Sequence, residues 1–154
     1  MEAPDREGQF VDDRCLAQLV RDLADAVIIC DARGDIVFWN EAATAVFGWV
    51  ADDVMGKSLD VIIPQRLQGR HWKGYHEVMA TGHTEYGDRL LEVPAQHKDG
   101  HSISIAFTVS LLAGPEKTKP LGIAAVIRDD TKRFQERREL KAQLAKLSSG
   151  DTSV

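Results

Sequence analysis

The chain has 154 residues, 44% hydrophobic and 28% charged, enough apolar material for one domain with a real core. A formal net charge of -5 leaves no basic footprint for nucleic acid, and no apolar run approaches the length of a bilayer span. The N-terminus MEAPDREGQF is polar and is no signal peptide, and the two cysteines, Cys15 and Cys30, read as buried thiols of a reducing compartment. The expectation is a cytoplasmic protein.

Residues 1–9 are polar and read as a disordered N-terminus. From Phe10 the apolar residues Val11, Cys15, Leu16, Leu19, Val20 and Leu23 recur at helical spacing, which predicts a flanking helix over residues 10–24. Ala26 to Asp31 is a short buried strand, Asp31-Ala32-Arg33-Gly34 a turn, and Asp35 to Trp39 a second strand, together a hairpin. Asn40 is placed to cap a helix from Glu41 to Phe47 that Gly48 stops. A helical turn over residues 51–56 and an apolar segment from Leu59 to Ile63, closed by Pro64, follow. Gln65 to Thr81 is helical in pattern, with Leu67, His71, Tyr75, Val78 and Met79 on overlapping faces and Gly82 at its end.

Three strand-like runs come next: Tyr86 to Pro94, Ser102 to Leu112 and Leu121 to Arg128. The middle one alternates, with Ile103, Ile105, Phe107 and Val109 facing one way, as a half-buried antiparallel strand does. The last is nearly all apolar and is expected at the centre of the sheet. Residues 131–147 form a charged helix in which Arg137 and Leu144, then Leu140 and Leu147, occupy the two seam positions of a short heptad pattern. Residues 148–154 read as a flexible tail. The expected architecture is α+β, a five-stranded antiparallel sheet with short helices on one face and helices flanking it at both ends.

The segments Asp25–Asp31, Ile36–Ala43, Phe47-Gly48-Trp49, residues 54–57, Lys98-Asp99-Gly100 and Val126–Thr131 resemble those of PAS domains, with matches across about residues 16–135. The resemblance implies a PAS sensor domain over residues 25–130 and a signalling helix after it. Ile63-Pro64, Arg66, Arg70, His71, Tyr75 and the Asp99-Gly100 turn appear in the order found in haem-binding PAS domains of the FixL and Dos types. By that resemblance His71 is the axial ligand of a b-type haem that senses a diatomic gas (oxygen, NO or CO) or redox state. Arg70, Lys73 and Arg89 are candidates to pair with the haem propionates, with a solvated face the better reading of Lys73. Trp72 and Tyr75 read as packing residues and not as a flavin platform, with Tyr75 also a candidate lining residue of the cofactor site, and Ile103, Ile105, Phe107 and Val109 are pocket wall or ordinary core. Leu91 stands where the FixL type has its oxygen-contacting arginine, and Arg89 where the Dos type has its distal methionine. The distal side therefore has either Arg89 as a donor or apolar side chains alone.

The other histidines, His76, His83, His97 and His101, read as solvent-facing, and Trp39 as closing a strand edge. No nucleophile constellation, phosphate loop, HExxH motif or photoactive-cysteine motif is present, so an enzyme is not expected. The other reading is a haem-free PAS interaction module, a homodimer through its flanking helices, with a small metabolite or only side chains in the pocket. Either way the output passes to a signalling protein that the sequence does not identify. The chain ends about twenty residues after the core, as a free-standing sensor or a piece of a longer protein.

Overall fold

A computed structural model of the protein describes residues 11–115 and 119–150. The expectations for residues 1–9, for Phe10 and for residues 151–154 lie outside this range. The elements are α1 (Asp13–Asp22), β1 (Ala26–Asp31), β2 (Ile36–Trp39), α2 (Glu41–Phe47), α3 (Ala51–Val54), a 3-10 turn (Leu59–Ile62), α4 (Gln65–Thr81), β3 (Leu91–Gln96), β4 (Ser102–Ala113), β5 (Pro120–Asp129) and α5 (Thr131–Gly150). The strands make one antiparallel sheet in the order β2-β1-β5-β4-β3, which places the apolar β5 at the centre as its composition requires.

Cross-strand register decides which residues share a face. Ala26 lies opposite Ile127, Ile28 opposite Ala125 and Cys30 opposite Ile123. Phe107 lies between Ile127 and Leu91, and Ile103 opposite Ala95. These side chains make the inner face, closed over by Phe47, Val54, Ile62 and Tyr75 from the helical layer. Full burial of a side chain of this size contributes about 1.5–3 kcal/mol.

The polar centre of this core is Asn40, only 4% exposed. Its Oδ1 accepts from the Ala43 N–H (3.0 Å), capping α2 as expected, and from the Val27 N–H (2.9 Å). Its Nδ2 donates to the carbonyls of Val20 and Asp25, both at 3.1 Å. One side chain thus ties the end of α1, the start of β1 and the start of α2. A buried amide fully bonded in this way costs little and specifies one arrangement of the three segments.

The structure departs from the sequence expectations at several places. β3 starts at Leu91, not Tyr86, because residues 85–88 form an exposed turn around Gly87-Asp88, with the Arg89 N–H bonded to the Tyr86 carbonyl at 3.2 Å. It then runs through Pro94 to Gln96; β3 is an edge strand, and a proline that donates nothing to the ladder is tolerated there. α5 continues through residues 148–150, which were assigned to a flexible tail. Cys15 is half-buried, since α1 leaves much of its apolar stripe uncovered. Trp39 is 5% exposed, and its Nε1 donates to the Thr44 Oγ1 and the Trp49 carbonyl, so it is core and not an edge cover. Among the described residues, no helix is long and apolar enough to cross a membrane.

Candidate functional site

α4 positions the candidate ligand. Pro64 precedes the helix and Gly82, in the left-handed conformation, ends it. Between them Leu67, His71, Tyr75, Val78 and Met79 are at least half-buried, while Arg66, Arg70, Lys73, Gly74 and Glu77 are exposed. The 3.6-residue period therefore sets His71 on the inner side of the helix.

Two neighbours of His71 fasten α4 to the rest of the domain. The Trp72 Nε1 donates to Asp60 Oδ1 at 2.6 Å, reaching the 3-10 turn. Its ring lies so close over Gly34 that a Cβ there would stand 2.0 Å away, and Gly34 also has φ +90°. The Tyr75 hydroxyl donates to the Asp31 carbonyl at 2.5 Å, at the far end of β1. Sequence reading made both residues packing groups; the structure shows that each also carries a specific hydrogen bond.

The His71 ring packs against both, edge-on to Trp72 with centroids 4.6 Å apart and 5.8 Å from Tyr75, while Trp72 and Tyr75 contact each other at 5.3 Å. Its Nδ1 is buried and has no hydrogen-bond partner. Burial lowers its pKa below the ordinary value, against the opposing pull of Asp60 and with a small push from His76. At neutral pH the ring is uncharged, with a lone pair available to a metal or a donor. Near Tyr75, burial followed by the charges of Asp31 and Asp35 pushes the Cys30 thiol up to about 12, so it is no nucleophile. Burial likewise raises the Tyr75 hydroxyl.

The other candidate residues divide into two groups. Ile105, buried, and Leu91, Phe107 and Val109, half-buried, all lie on the inner face of β3 and β4, in the layer that Tyr75 closes. Arg70 and Arg89 are exposed, Arg70 on the outer side of α4 and Arg89 in the segment before β3, so the folded chain does not bring them to His71. A buried nitrogen without a partner, on a neutral imidazole, fits an iron ligand.

A second group of donors, read from the sequence as solvent-facing, comes together at the β3–β4 turn. His97 is half-buried, its ring set against Gly48, and it stacks on His101 at 4.5 Å with Asp99 between them. Backbone and then side-chain hydrogen bonds from His101 hold the Asp99 carboxyl below its usual range. The signal in the sequence was the His-x-Asp-x-His spacing, which acquires meaning only once the turn is closed.

A family model of the PAS fold matches residues 15–129. The chain is 36% identical over 119 residues to an uncharacterised protein of Azorhizobium caulinodans, covering 76% of this chain and 16% of that protein. It is 26% identical over 111 residues to the oxygen sensor protein DosP of Escherichia coli strain K12, covering 72% of this chain and 13% of that protein. The chain thus spans less than a fifth of the length of either relative. Among solved structures, an RNA-binding light-oxygen-voltage receptor is similar with a TM-score of 0.72 at 18% identity, covering 95% of this chain and 41% of that one, a likeness of fold. With sheet order, helical layer and family match in agreement, the chain belongs to the PAS family.

Proposed function

We propose that this sensory PAS domain holds b-type haem through His71 and responds to a diatomic gas or to the redox state of the iron. The observation that carries the reading is the neutral His71 ring on the inner side of α4, with a buried Nδ1 that no protein group satisfies. The likeness to a relative named as an oxygen sensor supports it. Bound haem would supply an iron centre that takes up a gas ligand or an electron.

The protein's own residues do the rest. Trp72 and Tyr75 hold the helix that carries His71 against the β1–β2 turn. Leu91, Ile105, Phe107 and Val109 supply an apolar wall that excludes water. Arg70 and Arg89 are both exposed and would reach propionates only by extending from outside the His71 face. The same wall strands reach the output helix: Ser104 N–H on β4 donates to Thr131 Oγ1, and Arg137 on α5 pairs with Glu92 on β3 at 3.1 Å. A shift of β3 or β4 therefore alters contacts at the first two turns of α5, and a coupling of about 1–3 kcal/mol is enough for regulation.

The test is an absorbance spectrum of the full chain after haem titration. A strong Soret band that His71→Ala loses, with unchanged circular dichroism, supports the reading; a visible spectrum that stays flat overturns it.

A second reading, a haem-free module that dimerises through its flanks and passes its signal to a partner, is favoured by one observation. Val11 just before α1, Leu16 and Leu19 on α1, and Leu140, Leu144 and Leu147 on α5, are each 46–72% exposed. A helix of this length with an unburied apolar stripe is marginal alone and gains from pairing with a second copy. Light scattering at high concentration checks this: a monomer that Leu144→Asp leaves unaffected would refute it.

A further inference from the structure

We infer that the β3–β4 turn is a binding site for a divalent transition-metal ion, with His97, Asp99 and His101 as its three protein ligands. The site is separate from His71 and needs no haem.

The backbone assembles the ligands. Gly100 takes φ +95°, and its N–H donates to the His97 carbonyl at 2.9 Å, so the chain reverses between Asp99 and His101. The His97 N–H then pairs with the His101 carbonyl at 3.0 Å, which sets the two imidazoles on one side of the hairpin. The rings stack with centroids 4.5 Å apart and 23° between planes. Asp99 Oδ1 lies 3.2 Å from His97 Nδ1 and in contact with His101 Nδ1. One ligand atom from each of the three residues falls within 4.8 Å of the others.

These separations suit coordination. Bonds of about 2.0–2.1 Å in a tetrahedral site put ligand atoms roughly 3.3 Å apart; the His97–Asp99 edge already has that length, while the closer His101–Asp99 contact is a hydrogen bond that widens when an ion takes the place of its proton. Two imidazoles and a carboxylate select zinc, nickel or copper over magnesium or calcium, which take oxygen. The remaining positions open to water, since the Asp99 and His101 side chains are 61% and 56% exposed.

The third argument is electrostatic. The Asp99 N–H points at His97 Nδ1 at 3.2 Å, so Nδ1 is the acceptor and carries its lone pair. The Asp99 carboxylate oxygen also lies 3.2 Å from that nitrogen. Two electron-rich atoms so placed repel unless a proton or a cation stands with them. Packing opposes relief by ring rotation, because the His97 ring abuts Gly48 closely enough that a Cβ there would be 2.5 Å from Cε1. The turn itself is pinned to the end of α2 by the Lys98 N–H, which donates to the Phe47 carbonyl at 2.8 Å. The ligand set is preorganised, and an ion held there would stiffen the hairpin that forms one wall of the domain.

The experiment is calorimetric titration of Zn2+ into the tag-free full chain in a non-coordinating buffer. One equivalent binds, and His101→Ala and Asp99→Asn each weaken it about tenfold or more, a loss typical of altered metal surroundings. His83→Ala, which removes an exposed histidine outside the turn, leaves it unchanged. Absence of one-to-one binding, or equal affinity in His101→Ala, overturns the site; retained affinity in Asp99→Asn overturns the three-ligand assignment.

Discussion

His71 on α4 and the His97–His101 pair on the β3–β4 turn are made of the same side chain and face opposite constraints. On α4 the imidazole is enclosed by Trp72 and Tyr75, with no carboxylate bonded to it and one nitrogen left without a partner. At the turn His101 is open, His97 is half-buried, and the two share a carboxylate. Burial that outweighs the pull of nearby Asp60 keeps this histidine neutral and suits it to a cofactor in an apolar pocket. Exposure beside a carboxylate suits the others to a hydrated cation. The difference lies in what the fold packs around the ring, since both regions sit at ordinary helix and turn positions in the chain.

The largest effect expected from breaking this contrast is on haem. His71→Ala should abolish the Soret band while His101→Ala leaves it intact, as absorbance spectra of the two variants would show. Two glycines give the next comparison. Gly34→Ala combines a left-handed backbone with a Trp72 ring 2.0 Å from the new Cβ, and should cost about 3 kcal/mol in chemical denaturation. Gly100→Ala has nearly the same backbone at φ +95° but open space around it, and should cost only about 1 kcal/mol. Equal losses would mean that Trp72 yields and that α4 is not firmly anchored.

Tyr75→Phe removes the donor to the Asp31 carbonyl and should cost about 1 kcal/mol, read from the denaturation midpoint. The smallest effect is in the pH profile. The unfolded chain takes up a proton at His71 near the ordinary value of 6.5, while the folded chain does so only at lower pH. Between the two values the unfolded state binds more protons, so stability should fall as pH drops below 6.5. His71→Gln should remove that part of the slope; an unaltered profile would show that the ring is not shielded.

Much of the fold was legible along the chain because its signals are local. α2 is bounded by Asn40 and Gly48, and α4 ends where Gly82 permits a left-handed residue. The alternation of β4 and the apolar run of β5 placed both strands to within a residue at most of the ends. β3 was misplaced because Tyr86 and Leu90 mimic strand residues, while the turn at Gly87-Asp88 and an edge position that tolerates Pro94 depend on neighbours. The inner side of α4, and with it His71, followed from helical period. The exposed position of Arg89 away from His71 did not, because spacing sets no distance between a helix and a loop.

Short-range chemistry was therefore enough to establish an α+β sheet-and-helix domain, its element order and the face that bears His71. It rests on backbone sterics, capping and the periods of 2 and 3.6 residues, all of which act within a turn or two. Tertiary structure alone decided that Nδ1 of His71 would be buried without a partner, that Asn40 would tie three segments together, and that His97 would be pressed against Gly48 beside Asp99 and His101. Each depends on atoms brought together from distant segments or a closed turn, where desolvation and close packing set charge and ring orientation, and neither is written in the spacing of residues.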